Sequence, residues 1–429
     1  MRSESMSSLG RAARIAGVAL VVGTAVAGLW AMAVRFREGL VVTHLTQHVP
    51  WGFWVALYIY FIGLSAGSFL LSTLVYVFGM KRFEAVGPLA LLQAIGCLGL
   101  GMFLVWVDLG HPERFFNVFL YWNPSSVLAW EAGLYVAYAL IVTAELFLVL
   151  RPALAARAAG QSVGARLYGI RALGKRIPDA AWKARAALWL KVLGILGIPV
   201  AIGVHGGTGA IFAVVKSRPS WYTGLFPIVF LVSALASGGG LLTFLTAIGS
   251  RLPRHEKLEV VRGLARLTVG IVAFDLLLFA SEVLVVFYGG IPLHVAGWEQ
   301  TFFGPFWWVF WFGQLGMGAV VPILLVAGKR TGQSIGWLGL AGLAVVIGIV
   351  GVRLNIVIPA QIEPEFPTLA EAYHHVRFVR GYFPSANEWL VGLGTIALGV
   401  LAYLGARRIL PLDAPEFEQS VGSAQGGQR

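Results

Sequence analysis

The chain has 429 residues, of which 58% are hydrophobic and only 12% charged, at a mean hydropathy of +0.79. Soluble domains carry about twice that charged fraction, so the composition excludes an ordinary soluble enzyme and points to a polytopic membrane protein. The net charge of +12 is not a nucleic-acid footprint, because the basic residues sit in short connections between apolar runs.

Ten apolar runs are long enough to cross a hydrocarbon core of about 30 Å as helices: 15–34, 50–79, 86–108, 127–150, 188–215, 222–249, 263–289, 305–327, 335–359 and 387–410. The first follows Arg2, Arg11 and Arg14, and Ala31 and Ala33 imitate a signal-peptidase site. The run is longer than a usual signal core, so it is read as a retained span, with a cleaved signal as the alternative. The second opens on Pro50–Trp51 and holds Gly63, Ser65, Ala66, Gly67 and Ser68 at its centre, small residues that let another helix backbone come close. The sixth echoes it: ALASGGGLL at 234–242 against GLSAGSFLL at 63–71, each after an aromatic–proline entry. Four spans separate the two, so the repeats would point the same way. The predicted fold is all-α and membrane-integral, with two parallel four-helix bundles, 50–215 and 216–359. Around them lie an N-terminal span and outer loop (1–49), an outer loop (360–386) and a C-terminal span and tail (387–429).

Sorting basic residues by alternate connections places Lys81, Arg82, Arg251, Arg254, Lys257, Arg262, Lys329, Arg330, Arg407, Arg408 and the long fourth connection on the side of the termini. The fourth connection alone carries Arg151, Arg157, Arg166, Arg171, Lys175, Arg176, Lys183 and Arg185. The opposite side has only Arg35, Arg37, Arg114, Lys216, Arg218, Arg377 and Arg380. The positive-inside rule then puts both termini in the cytoplasm.

A charged side chain at a helix centre costs about 2.5–3.5 kcal/mol on insertion scales, so each needs a partner, a proton or a purpose. Asp108, Glu131, His205, Glu282, Arg353 and Asn355 all fall in the outward half of their spans, at the depth of Trp54 and Tyr58. Simple pairing, for example of Arg353 with Glu282, is the plain reading. The alternative is a pocket whose acids, histidine and tyrosine bond the two oxygens of a quinone head group and take its protons. Asp275, Glu282, Arg353 and Glu145 form a weaker candidate proton path; Glu145, one turn from the cytoplasmic end, reads more readily as an interfacial residue. Haem b normally needs two axial histidines inside spans. Only His205 lies well inside one, while His44, His48, His111, His255, His294, His374 and His375 lie in loops or at edges. Intrinsic haem is therefore not expected. Cys97 stands alone, so neither a disulfide nor a thiolate metal or cluster site is expected. A secondary transporter with a midplane ionisable site is the competing function, since repeated bundles and glycine-interrupted helices also describe transporters.

Three stretches, PWGFWVALYIYFIGLSAGSF (50–69), DLGHPERFFNVFLYWNPSSVLAWE (108–131) and GVHGGTGAIFAVVKSRPSW (203–221), resemble the NrfD/polysulfide-reductase membrane-subunit family. The resemblance implies a haem-free, quinone-interacting anchor of a respiratory redox complex in the inner (cytoplasmic) membrane. Its implied partners are a four-cluster ferredoxin-like iron–sulfur subunit and a molybdopterin or multihaem catalytic subunit. It also implies that Asp108, and the Asp-Leu-Gly-His-Pro motif that holds His111, belong to the quinone pocket or its proton exit, with Tyr58 facing the same pocket. Some family members carry a histidine where this chain has Tyr58, which leaves His48 or His205 as alternative head-group ligands. The expected quinone site is thus Trp54, Tyr58, Asp108, His111, Glu131 and His205, for menaquinone or ubiquinone. The glycines after His205 are expected to loosen or break that helix. The ninth connection, 361–386, with Glu363, Glu365, His374, His375, Arg377 and Arg380, is the expected dock for the iron–sulfur partner.

Overall fold

The structure is a computed structural model that describes residues 8–159, 168–170, 178–363, 372, 375, 377–379 and 381–412. Arg2, Arg166, Arg171, Lys175, Arg176, Glu365, His374 and Arg380 lie outside the described residues. Each of the ten apolar runs is a helix long enough to span, and no strand occurs among the described residues. Hydrocarbon offers backbone N–H and C=O groups no partner, so each segment must satisfy its own. In chain order the elements are α1 (Ser8–Glu38), α2 (Phe53–Tyr76), α3 (Gly87–Asp108), α4 (Val127–Ala159), α5 (Ala180–Ala213) and α6 (Phe226–Gly249). There follow α7 (Arg254–Gly289), the short α8 (Pro292–Phe303), α9, α10 (Ile335–Val357) and α11 (Ala386–Ile409). α9 begins as a π-helix, Val309–Val320, and continues as α-helix over Val321–Ala327.

α2 packs on α3, α5 and α6, while α6 packs on α7 and α10. α2 is buried along most of its length and α7 along little of it, so α2 is central and α7 faces lipid. The echoed small-residue motifs meet each other. A methyl on Gly67 would strike the Ala234 carbonyl, and one on Gly238 would strike the Gly67–Ser68 peptide. Only residues without a Cβ allow that backbone approach. Gln93 of α3 closes the seam, donating to Ser68 Oγ and to the Gly238 carbonyl at 3.3 Å. The first and last spans pair through Gly28 and Gly394, whose backbones touch.

One expectation fails. α5 runs unbroken through Pro199, Gly206 and Gly207, because Gly209 packs directly on the Phe226–Pro227 backbone of α6 and tertiary contact replaces the missing local propensity. The widened helix is instead the start of α9, where Gly348 and Gly351 of α10 press against the backbone at Gly318 and Gln314. Such π turns are rare and frequently mark functional positions.

Candidate functional site

Glu131 stands one turn into α4 and is 1% exposed. Its Oε1 accepts from Tyr135 Oη at 2.8 Å, one turn further on the same helix, and from Tyr58 Oη of α2 at 3.3 Å. The two phenols lie 2.6 Å apart. Thr208 Oγ1 of α5 meets the same Oε1 and also reaches the Val204 carbonyl at 2.9 Å, so its single hydrogen serves one acceptor at a time. Three helices therefore close hydroxyls on one carboxyl oxygen, and no cation among the described residues pairs with it. Such a group can exchange a proton with a neighbour through short hydrogen bonds while the ring of donors holds its position.

One turn before Thr208, fully buried His205 turns Nε2 toward Arg353 Nη2 of α10 at 3.2 Å. The same Nη2 donates to Ser233 Oγ of α6 at 2.8 Å, and the guanidinium lies 4.8 Å from the Phe230 ring centre. Gly63 leaves the space: a Cβ there would be 3.2 Å from Arg353 Nη2 and 3.3 Å from His205 Cε1. Arg353 Nε and Nη1 are buried without hydrogen-bond partners among the described residues. Arg353 thus pairs with His205 and Ser233 rather than with Glu282, and the acid whose charge acts on it is Asp275.

Asp275 belongs to a second constellation, around a cavity of about 100 Å³ between α7, α8, α9 and α10. Ser220, Asp275, Glu282, Thr301, Gln314 and Asn355 supply its polar lining, and aliphatic and aromatic residues and glycines the rest. Asn355 Nδ2 donates to Gln314 Oε1, on the π-helix, at 2.7 Å. Asp275 Oδ1 and Asn355 Oδ1 are buried without hydrogen-bond partners among the described residues.

The remaining sequence-predicted residues group elsewhere. Asp108 ends α3, where Arg35 of α1 donates from Nε to the Val107 carbonyl at 2.9 Å and from Nη2 to the Leu109 carbonyl. The charges acting on Asp108 are those of Glu388 and Arg35. Trp54 Nε1 donates to the Glu388 carbonyl at 3.1 Å, so Trp54 faces the start of α11. Glu388 in turn accepts from Ser385 N and His44 N, each at 2.9 Å, and from Tyr382 Oη. Burial, reinforced by that carboxylate, pushes the Tyr382 phenol above its ordinary range. His111 lies at the surface with Nδ1 2.9 Å from Glu113 Oε1. Backbone and His111 hydrogen bonds draw the Glu113 carboxyl down from its usual value. Glu145 is buried on α4 against Gly194 of α5, with neither oxygen hydrogen-bonded among the described residues.

In the ninth connection, the Arg377 carbonyl accepts from Gln47 N at 3.0 Å, and His375 is exposed beside Phe378. Glu363 Oε1 accepts from Gln300 at 2.7 Å. His48 is buried, edge-on to Phe378 at 5.5 Å.

Tyr135, Thr208, Ser233, Gln314, Arg35 and Glu388 are the partners that sequence reading missed. Some had a signal: Tyr135 is four residues after Glu131 and Thr208 three after His205, so each shares a helix face with its neighbour. Ser385-Ala-Asn-Glu388 is the pattern of a capping box, which forms. Gln314 had none, because a π-helix moves side chains off the 3.6-residue period.

The profile of the family described as "Polysulphide reductase, NrfD" matches residues 41–365. A selenate reductase subunit of Mesobacillus selenatarsenatis is 41% identical over 399 residues, which cover 90% of this chain and 92% of that protein. The Hdr-like menaquinol oxidoreductase integral membrane subunit of Archaeoglobus fulgidus is 28% identical over 403 residues, 92% of each chain. A polysulfide reductase chain of Wolinella succinogenes is 27% identical over 320 residues, 73% of this chain and 95% of its own.

Proposed function

Since the chain belongs to the NrfD polysulphide-reductase family, we propose that it is the quinone-exchanging membrane subunit of a respiratory redox complex, with its quinone site beside Glu131. The observation that carries this reading is the convergence of Tyr58, Tyr135 and Thr208 on the buried Glu131 carboxyl. The relatives support the class of partner: one is a menaquinol oxidoreductase subunit, and two belong to reductases of selenate and polysulfide. Quinone supplies two-electron, two-proton redox chemistry. The chain's own groups hold and move protons. Tyr58 and Tyr135 orient a head-group oxygen by hydrogen bonds. Glu131 exchanges a proton with that oxygen, and His205, one turn deeper on the helix of Thr208, is the next group in line. Asp108 and His111, near the mouth of the same end, are proton-exit groups in this reading.

Electrons pass in this reading to an iron–sulfur subunit, with a molybdopterin or multihaem subunit beyond it. The partner docks on the ninth connection around His375 and Arg377. The excess of basic residues on the side of the termini supports an inner-membrane orientation with both termini cytoplasmic.

The test is Glu131→Gln in the complex purified with its partners. Menaquinol-dependent reduction of the partner's clusters should fall about 100-fold, the scale of a lost general base. An unchanged rate removes Glu131 from the chemistry. The cavity at Asp275 favours one other reading, solute transport, which predicts uptake into vesicles holding this chain alone.

A further inference from the structure

The short helix α8 roofs the Asp275 cavity. Its Gly297, Trp298 and Thr301 share one face and line the cavity, opposite Asp275 and Glu282 of α7, Gln314 of α9 and Asn355 of α10. Of the twelve residues of α8 only Gly297 and Thr301 are buried. A helix that merely lies in the membrane interface turns a continuous apolar stripe inward. α8 instead turns a glycine and a threonine inward, with a cavity of about 100 Å³ beneath them. Gly297 also sets how near the roof comes, since a Cβ there would strike Ser220 Oγ of the α5–α6 connection.

The two ends of this helix are built differently. α7 ends at Gly290 in the left-handed region, φ 63°, and a Cβ on Gly289 or Gly290 would meet nothing within 4 Å, so nothing packs on the chain where it enters α8. No side chain caps the first turn of α8. At the other end Trp311 Nε1 of α9 donates to the Phe302 carbonyl at 3.1 Å, and the Phe302 ring centre lies 4.7 Å from that of Phe310, which makes a fixed edge. The bond that closes the helix over the cavity runs from Gln300 Nε2 to Glu363 Oε1, at 2.7 Å. Its acceptor is anchored from behind: Arg218 Nη1 donates to the Glu363 carbonyl at 2.7 Å and to the Ala360 carbonyl at 3.3 Å. A directional bond between a jointed helix and an anchored loop acts as a latch. Apolar contacts such as that of Trp298 on Phe279, with ring centres 5.4 Å apart, have no such directionality and let the rings slide.

We propose that α8 is a hinged lid over the Asp275 cavity, shut here by the Gln300–Glu363 bond, and that its opening joins Asp275 and Asn355 to water at the end of the bundle opposite the described termini. The joint is Gly290, the fixed edge is the Phe302–Trp311 contact, and the latch lies between them. A lid of this kind makes one end of a path open and shut, as a few residues at a helix end absorb the movement. Its use as a gate for protons rests on reading Asp275 and Glu282 as a proton path; the movement of α8 does not.

The experiment puts a reporter cysteine on the cavity wall, Ala319→Cys, in the full-length protein in nanodiscs, and measures how fast a charged, membrane-impermeant methanethiosulfonate modifies it. The native Cys97 is buried and does not line the cavity, and the chain without the reporter gives the background. A thiol reacts as its thiolate, so the rate follows access to water. Gln300→Leu removes the latch donor and should speed modification about tenfold, the worth of one hydrogen bond to a charged acceptor. Gln300→Lys keeps a donor for Glu363 and should keep the parent's slow rate, which separates a lost latch from lost folding. Val352→Cys, on the α10 wall, carries the same measurement if Ala319→Cys does not fold. Equal rates in the parent and both Gln300 variants overturn the lid. A pH dye in liposomes holding the complex reads the proton path separately: faster modification with unchanged proton release keeps the lid and removes the proton path.

Discussion

Around Glu131, hydroxyls from α2, α4 and α5 close on one carboxyl oxygen, whereas around Asp275 two acceptor oxygens border a cavity without a hydrogen bond among the described residues. A saturated network fixes its members and gives a reacting group a defined geometry. Unsatisfied acceptors beside space instead suit a mobile proton carrier, since buried polar groups are costly until something bonds them. Arg353 lies between the two regions, bonded to His205 on one side and acted on by the charge of Asp275 on the other. The proposed function therefore places quinone chemistry and its proton exchange at the first region, and we propose a separate proton path through the second.

The largest effect should separate them most clearly. Glu131→Gln lowers quinol-linked electron transfer about 100-fold. Asp275→Asn in the same complex should leave electron transfer within a few-fold and change proton release, read with a pH dye in liposomes. If the two variants exchange these effects, the assignment is inverted. Next, Tyr58→Phe and Tyr135→Phe each remove one hydroxyl from the Glu131 ring, for about a tenfold loss of turnover in a complex that still assembles. Failure to assemble, seen on size exclusion, would return those tyrosines to a packing role.

Arg353→Lys keeps the charge but removes the fork that reaches His205 and Ser233. A loss of about tenfold or less is expected. The loss should be non-additive with Asp275→Asn in a double-mutant cycle; strict additivity would mean the two regions are uncoupled. The smallest change is a control at a residue that bonds no member of the Glu131 ring or the Asp275 cavity. Ser385→Ala deletes the α11 cap and should cost about 1 kcal/mol in thermal unfolding, with turnover unchanged.

Much of this was legible in the amino-acid sequence. The spans follow from the length of uncharged runs. The close approach of α2 and α6 was foreshadowed by the GLSAGSFLL and ALASGGGLL motifs, because glycine is required where the two backbones touch, at Gly67 and Gly238. Of the candidate residues, Tyr58 and Glu131 do meet, and His205 lies one helical turn from their partner Thr208. Trp54 shares their helix or depth but turns toward Glu388, and Asp108 groups with Arg35 and Glu388. Depth along a span can be counted from its ends, but the direction a side chain takes around the helix depends on which neighbour it packs against.

By itself, then, the sequence marked ten runs long and apolar enough to cross a membrane, each of which is a helix among the described residues, and the ionisable residues within them, since those depend only on hydropathy and length. The tertiary structure alone decided that Tyr135 and Thr208 complete the Glu131 ring and that Arg353 engages His205. It alone placed a π-helix to carry Gln314 to Asn355. These are contacts between segments far apart in the sequence, fixed by the packing of helices against one another, and no local pattern of residues encodes them.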